Sequence, residues 1–175
     1  MLKRHTIFSL LSVFLYIFIF SATGLAMDIS DFPELKEGAW EIVDKKAGTK
    51  SRMCIDSATN RAFLAFGKEA QAQMDCDTSY EKNGDTYVTK ARCNMPMIGG
   101  MEMVTTYKGD FNKGYTTETI TKMDKPMFGM PATDKSVAVS TWKGPCKPGE
   151  KPGDMQIFGP NGEALGSMTT TDLGG

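Results

Sequence analysis

The chain has 175 residues, 20 Lys and Arg against 21 Asp and Glu, a formal net charge of −1 and 41% apolar residues. It therefore has a core's worth of apolar side chains for one domain. The charge balance supplies neither the basic stripe that holds nucleic acid nor an electrostatic pull toward an anionic membrane surface.

The first 26 residues read as a secretory signal. Met1-Leu2-Lys3-Arg4-His5 is cationic, Ile7 to Phe20 is apolar apart from Ser9, Ser12 and Tyr16, and small residues then run to Ala26. A positive start, an apolar middle and small residues at −3 and −1 are what a signal peptidase reads, here Gly24 and Ala26 for cleavage before Met27. The competing reading is a retained anchor, since Ile7 to Leu25 is nearly long enough to span; the membrane then concerns this segment alone. No Cys follows at the lipobox position. Cleavage removes Lys3 and Arg4, leaving 18 basic and 21 acidic residues, and it removes His5, the only histidine. The mature chain then has no imidazole for general acid/base work, for a Ser-His-Asp or Cys-His nucleophile, or for a metal.

The expected organisation is a signal peptide at 1–26, a single β-rich domain at 27–155 and a loosely ordered tail at 156–175. Gly38 to Asp44 reads as a strand with Trp40 and Ile42 on one face, followed by a second strand from Thr49 to Cys54. Ala58 to Gln73 reads as the one helix, capped by Asp56 or Ser57, with Phe63, Phe66, Ala70 and Met74 as its inward stripe. Asn83-Gly84-Asp85 marks a hairpin turn, and Tyr87 to Cys93 is its return strand. Met103, Thr105, Tyr107 and Phe111 lead to a turn at Asn112-Lys113-Gly114, after which Tyr115 to Met123 completes a second hairpin. Asp134 to Trp142 is a last strand. The fold class is mainly β (α+β): a curved antiparallel sheet or open barrel of six to eight strands with one helix packed on it.

The four cysteines, Cys54, Cys76, Cys93 and Cys146, all fall in the mature part, and an even count outside the cytoplasm reads as disulfides. Folding about Gly84-Asp85 sets Cys76 opposite Cys93, Thr78 opposite Ala91 and Tyr80 opposite Thr89 on one face. Cross-strand pairs of that kind lie within disulfide reach. Cys54 is left to pair with Cys146. A zinc or iron site is the alternative, against which stands the absence of any C-x-x-C spacing.

Two stretches carry a family resemblance. Leu35-Lys36-Glu37-Gly38-Ala39-Trp40-Glu41 resembles the opening G-x-W-E segment, and Trp142-Lys143-Gly144-Pro145-Cys146-Lys147-Pro148-Gly149 the closing W-x-G-x-C-P segment, of the domain of unknown function 3617 family. Lys147 stands where the family often has Pro. The resemblance implies an exported, disulfide-bearing domain; it carries over no activity and nominates no catalytic residue.

Methionine is the compositional outlier, 13 in all. Met95, Met97, Met101 and Met103 form one cluster, and Met123, Met127 and Met130 a second. Thioethers are soft donors suited to Cu(I), but Met is also a flexible filler of cores and apolar binding surfaces. Trp40 and Trp142 read as packing residues rather than stacking platforms. The segment from Lys143 to Gly149 reads as a disulfide-pinned turn rather than an anion site, and Thr116 to Thr121 as a solvated strand face. No G-x-S-x-G or H-E-x-x-H occurs, and no carboxylate pair suggests glycosidase chemistry. The resulting expectation is a periplasmic or secreted non-enzymatic protein without a cofactor. It binds a small apolar molecule, a lipid or an envelope protein partner, with Cu(I) carriage by the Met cluster as the alternative.

Overall fold

The computed structural model describes residues 25–95, 99–125, 129 and 131–169. The expected signal segment up to residue 24, and Met97, Met127 and Met130, lie outside them. Among the described residues no helix is long and apolar enough to cross a membrane.

The strands are β1 (Leu25–Met27), β2 (Gly38–Asp44), β3 (Lys50–Ile55), β4 (Cys76–Asn83), β5 (Thr86–Met95), β6 (Gly99–Asp110), β7 (Gly114–Met123), β8 (Thr133–Gly144), β9 (Met155–Phe158) and β10 (Ala164–Met168). They form one open antiparallel sheet in the order β1-β4-β5-β6-β7-β8-β2-β3-β9-β10. The one α-helix among the described residues, α1 (Ser57–Gln73), crosses from β3 to β4 and packs on both. Mainly β with one helix is thus the class the sequence announced, but ten strands exceed the expected six to eight. The surplus lies in short strands at the ends of the order. β9 pairs with β3, placing Met155 opposite Met53, and β10 pairs with β9. The sheet therefore continues where a loose tail was expected; sheet neighbours hold these four- and five-residue segments in spite of their Gly and Pro surroundings.

Alternation sorts the residues onto two faces. The outer face carries cross-strand ion pairs, among them Lys90–Glu81 at 2.6 Å, Lys135–Glu118 at 2.8 Å, Lys143–Glu41 at 2.9 Å, and Arg92–Glu102. The inner face is apolar at one end, where Trp40, Met53 and Ile55 are buried against Leu35, Ile42, Phe63, Tyr115, Trp142 and Met155. Toward the middle it becomes a row of hydroxyls, with the Thr105 and Thr119 Oγ1 atoms 3.2 Å apart. Thr117, Thr119 and Thr121 are half-buried on this inner face. The expected solvated Thr face is therefore corrected: Thr116, Glu118 and Ile120 take the outer positions instead.

The inward stripe of α1 also differs from expectation. Thr59 and Asn60 are buried and Phe63 and Leu64 half-buried, whereas Phe66 is 38% and Met74 37% exposed. Asp56 Oδ1 accepts from both Thr59 N and Thr59 Oγ1 at 2.7 Å, which satisfies an orphan N-terminal donor, and the less exposed positions after Ser57 are 59, 60, 63, 64 and 67.

Candidate functional site

The segment from Asp28 to Glu37 lies between β1 and β2 as a strap, opening with a 3-10 turn at Ile29–Asp31 that Asp28 caps. Hydrogen bonds from four directions hold it. Trp40 Nε1 donates to Lys36 O at 2.7 Å and Trp142 Nε1 to Glu37 O at 3.1 Å. Lys36 N donates to Phe111 O at 3.1 Å. Asn60 completes a two-way clamp, its Oδ1 accepting from Leu35 N at 3.2 Å and its Nδ2 donating to Leu35 O at 2.8 Å. Ser57 N donates to Glu37 Oε1 at 3.2 Å, tying the strap to the start of α1. Lys36 Nζ sits 3.7 Å from the Trp142 ring centroid, a cation–π contact. Gly38, at φ +131, allows the approach: a Cβ there would stand 2.5 Å from Gly144 O and 2.6 Å from Trp142 Nε1. The G-x-W and W-x-G segments of the sequence thus meet at one place and hold one strap.

Beneath the strap and α1 lies a cavity of about 310 Å³, within the size range of small-molecule sites. Its walls are apolar: Phe32 and Leu35 from the strap, Phe63 and Leu64 from α1, and Ile42, Met53, Tyr107, Tyr115 and Met155 from the sheet. Tyr107 on β6 and Met155 on β9 stand five strand positions apart, about 24 Å on a flat sheet at ~4.8 Å per strand. Their meeting at one small cavity shows how far the sheet curls around the helix.

An aromatic cluster forms one end. Phe111 stacks on Tyr115 with ring centroids 4.8 Å apart, and Phe32 meets Tyr107 edge-on at 4.9 Å and Tyr87 at 5.2 Å. Burial pushes the Tyr107 and Tyr115 hydroxyls above the usual tyrosine range, while hydrogen bonds to Thr89 and Ser140 oppose the shift. Both remain neutral through the physiological range. Among the described residues the one charged side chain lining the cavity is Glu34, which is exposed. Chemically, the arrangement offers a largely apolar recess, partly open to solvent beside Glu34, with two neutral tyrosines in its wall.

Of the residues singled out in the sequence, the cysteines pair as expected, Cys76 with Cys93 across the β4–β5 hairpin and Cys54 with Cys146. The register also sets Thr78 opposite Ala91 and Tyr80 opposite Thr89. The segment after Cys146 is a turn, closed by Glu150 N to Lys147 O at 3.0 Å and Lys147 N to Glu150 Oε2 at 2.7 Å. Met101 and Met103 lie half-buried on the inner face of β6; Met95 ends β5 opposite Gly99. No cluster of three or more His, Cys, Asp or Glu placed to hold a metal occurs among the described residues. Of the residues that line the cavity, the sequence places Ile42 and Phe63 on inward faces and Tyr107 and Phe111 in one alternating run, without joining them into a site. The signals were there in Phe32-Pro33 ahead of Gly38 and in Asn60, a polar residue on the inward side of a helix.

A family model described as protein of unknown function (DUF3617) matches residues 35–146, a span that starts in the strap, contains both Trp-bearing segments and ends at Cys146. No curated protein and no solved structure matches the chain.

Proposed function

The chain belongs to the DUF3617 family, and for this member we propose that it is an exported, non-enzymatic carrier or sensor that encloses one small neutral apolar molecule beneath α1. The observation that supports this reading most is the cavity itself: about 310 Å³, walled by aromatic and aliphatic side chains on a pre-formed, disulfide-held frame. Preformed apolar cavities bind without the ordering cost that flexible ones incur. Among the described residues no cationic side chain lines it, so an anionic head group finds no partner there, and the Glu34 carboxylate at the rim opposes one. The two disulfides fit an oxidising compartment, and with the leader-like start of the sequence they support an envelope or extracellular location.

The test is titration with N-phenyl-1-naphthylamine, a neutral apolar dye that fluoresces on leaving water. The wild type should bind one equivalent. Leu64→Trp places an indole into the cavity from α1 and should abolish binding while far-UV circular dichroism and thermal midpoint stay close to wild type. An absence of dye binding in the wild type, or binding untouched by L64W in a folded protein, overturns the reading.

A further inference from the structure

We propose a second, independent site: a soft-metal site for Cu(I) formed by Met101, Met103 and Met123 on the inner face, at the opposite end of β6 from the aromatic cavity. The carrying observation is a row of sulfur residues across four consecutive strands. Cys76 on β4 is the register partner of Cys93 on β5, Cys93 of Met101 on β6, and Met101 of Met123 on β7. Met103 follows Met101 by two residues and so shares its face. Directly opposed residues have Cβ atoms about 4.5–5.5 Å apart and diagonal ones about 7–8 Å, distances that flexible methionine side chains bridge to a common ion. All three are half-buried, which leaves an entry path and a partly dry environment.

Three further facts favour a ligand role over filling. Every cysteine of the chain is consumed in a disulfide, so thioethers are its free soft donors. Thioethers, unlike thiols, stay available in an oxidising compartment, and their softness selects Cu(I) over zinc or calcium. The Met pair is also fixed in place. Gly100 N donates to Asp124 Oδ2 at 3.0 Å and Asp124 N to Gly100 O at 2.9 Å, closing the ladder immediately beside Met101 and Met123. On the other side the Cys76–Cys93 bond locks β4 to β5. The trio differs from the cluster suggested by linear spacing because β-pairing recruits Met123 from a distant segment.

The experiment is an anaerobic Cu(I) titration of the full mature chain against bicinchoninate, with ascorbate as reductant and no thiol, so that the disulfides stay closed. Ag(I) serves as a redox-inert second probe. One equivalent should bind to the wild type and to Met168→Leu, a change on the far edge strand β10. Binding should be lost in Met123→Leu and in Met101→Leu, substitutions that nearly conserve volume and leave the fold in place; circular dichroism confirms it. An absence of competition by the wild type, or binding retained in the M101L/M103L/M123L triple variant, overturns the proposal. Naphthylamine binding by these variants should be unchanged, which separates this site's failure from that of the cavity.

Discussion

Trp40 and Trp142 are register partners on β2 and β8, and their indole N–H groups donate to consecutive strap carbonyls, Lys36 O and Glu37 O. One cross-strand pair thereby fixes both the core and the rim of the cavity. Trp40 is 1% exposed and packs on Met53 and Ile55, while Trp142 is half-buried and carries Lys36 on its ring. The two should behave differently on substitution. Trp142→Phe removes one hydrogen bond and the better cation–π face, a cost of about 1–2 kcal/mol. Trp40→Phe also opens a void in the core and leaves Lys36 O unpaired, for about 2–4 kcal/mol. Urea denaturation measures both; equal losses would contradict the division of roles.

The Asn60 clamp makes a separate prediction. Asn60 is 7% exposed and satisfies both backbone groups of Leu35. Asn60→Ala strands a donor and an acceptor, each costing about 1–3 kcal/mol where water cannot reach. The local effect should exceed the global one, because the strap can lift away from α1 to find water. Amide exchange at residues 32–37 should accelerate more than exchange in β6 and β7. Uniform acceleration would mean that the strap is not an independently opening unit.

The two disulfides close loops of very different length, with sequence separations of 92 and 17. In the chain-entropy model, removing the Cys54–Cys146 bond as a double Ser variant should cost roughly 4–5 kcal/mol and removing Cys76–Cys93 about 3. The gap should widen if β4 and β5 remain paired in the unfolded ensemble, because the hairpin bond then removes less entropy from it. Equilibrium denaturation of the two double variants settles the order; a larger loss from the hairpin bond would contradict it.

Some of these relationships are legible in the sequence itself, and others arise only in the fold. The Cys76–Cys93 register was legible because a short turn leaves a hairpin only one alignment that buries the same face. Trp40 and Trp142 were legible as packing residues for the same reason of alternation. The strap was not, because residues 28–37 have no period; their order comes from donors on β2, β8 and α1 that only the fold brings together. Apolar spacing through Phe66 and Met74 points to the wrong helix stripe, because the inward side also holds the polar Thr59 and Asn60, whose partners Asp56 and Leu35 only the fold supplies. The end strands were missed because four or five residues carry too little pattern to outweigh the glycines and prolines around them.

The last prediction concerns acid stability. Arg52 Nε donates to Glu150 Oε1 at 2.7 Å, joining β3 to the turn that carries Cys146, and the two side chains are 22% and 19% exposed. The Arg52 hydrogen bond, followed by that from Lys147 N, holds the Glu150 carboxyl below its ordinary range. A carboxylate whose pKa is lower in the folded than in the unfolded state takes up its proton more readily when unfolded. Its contribution is therefore complete above the unfolded value of about 4.3 and is lost as pH falls through the folded one. Glu150→Gln should cost about 1–2 kcal/mol near neutrality, the value for a hydrogen bond to a charged group reduced by partial solvent screening. The difference between wild type and variant should stay flat from about pH 6 to 8, shrink below the unfolded carboxylate value of about 4.3 and disappear below the folded one. Urea denaturation across that range measures it. A difference that persists unchanged at low pH would show that Glu150 acts through the shape of the turn and not through its charge.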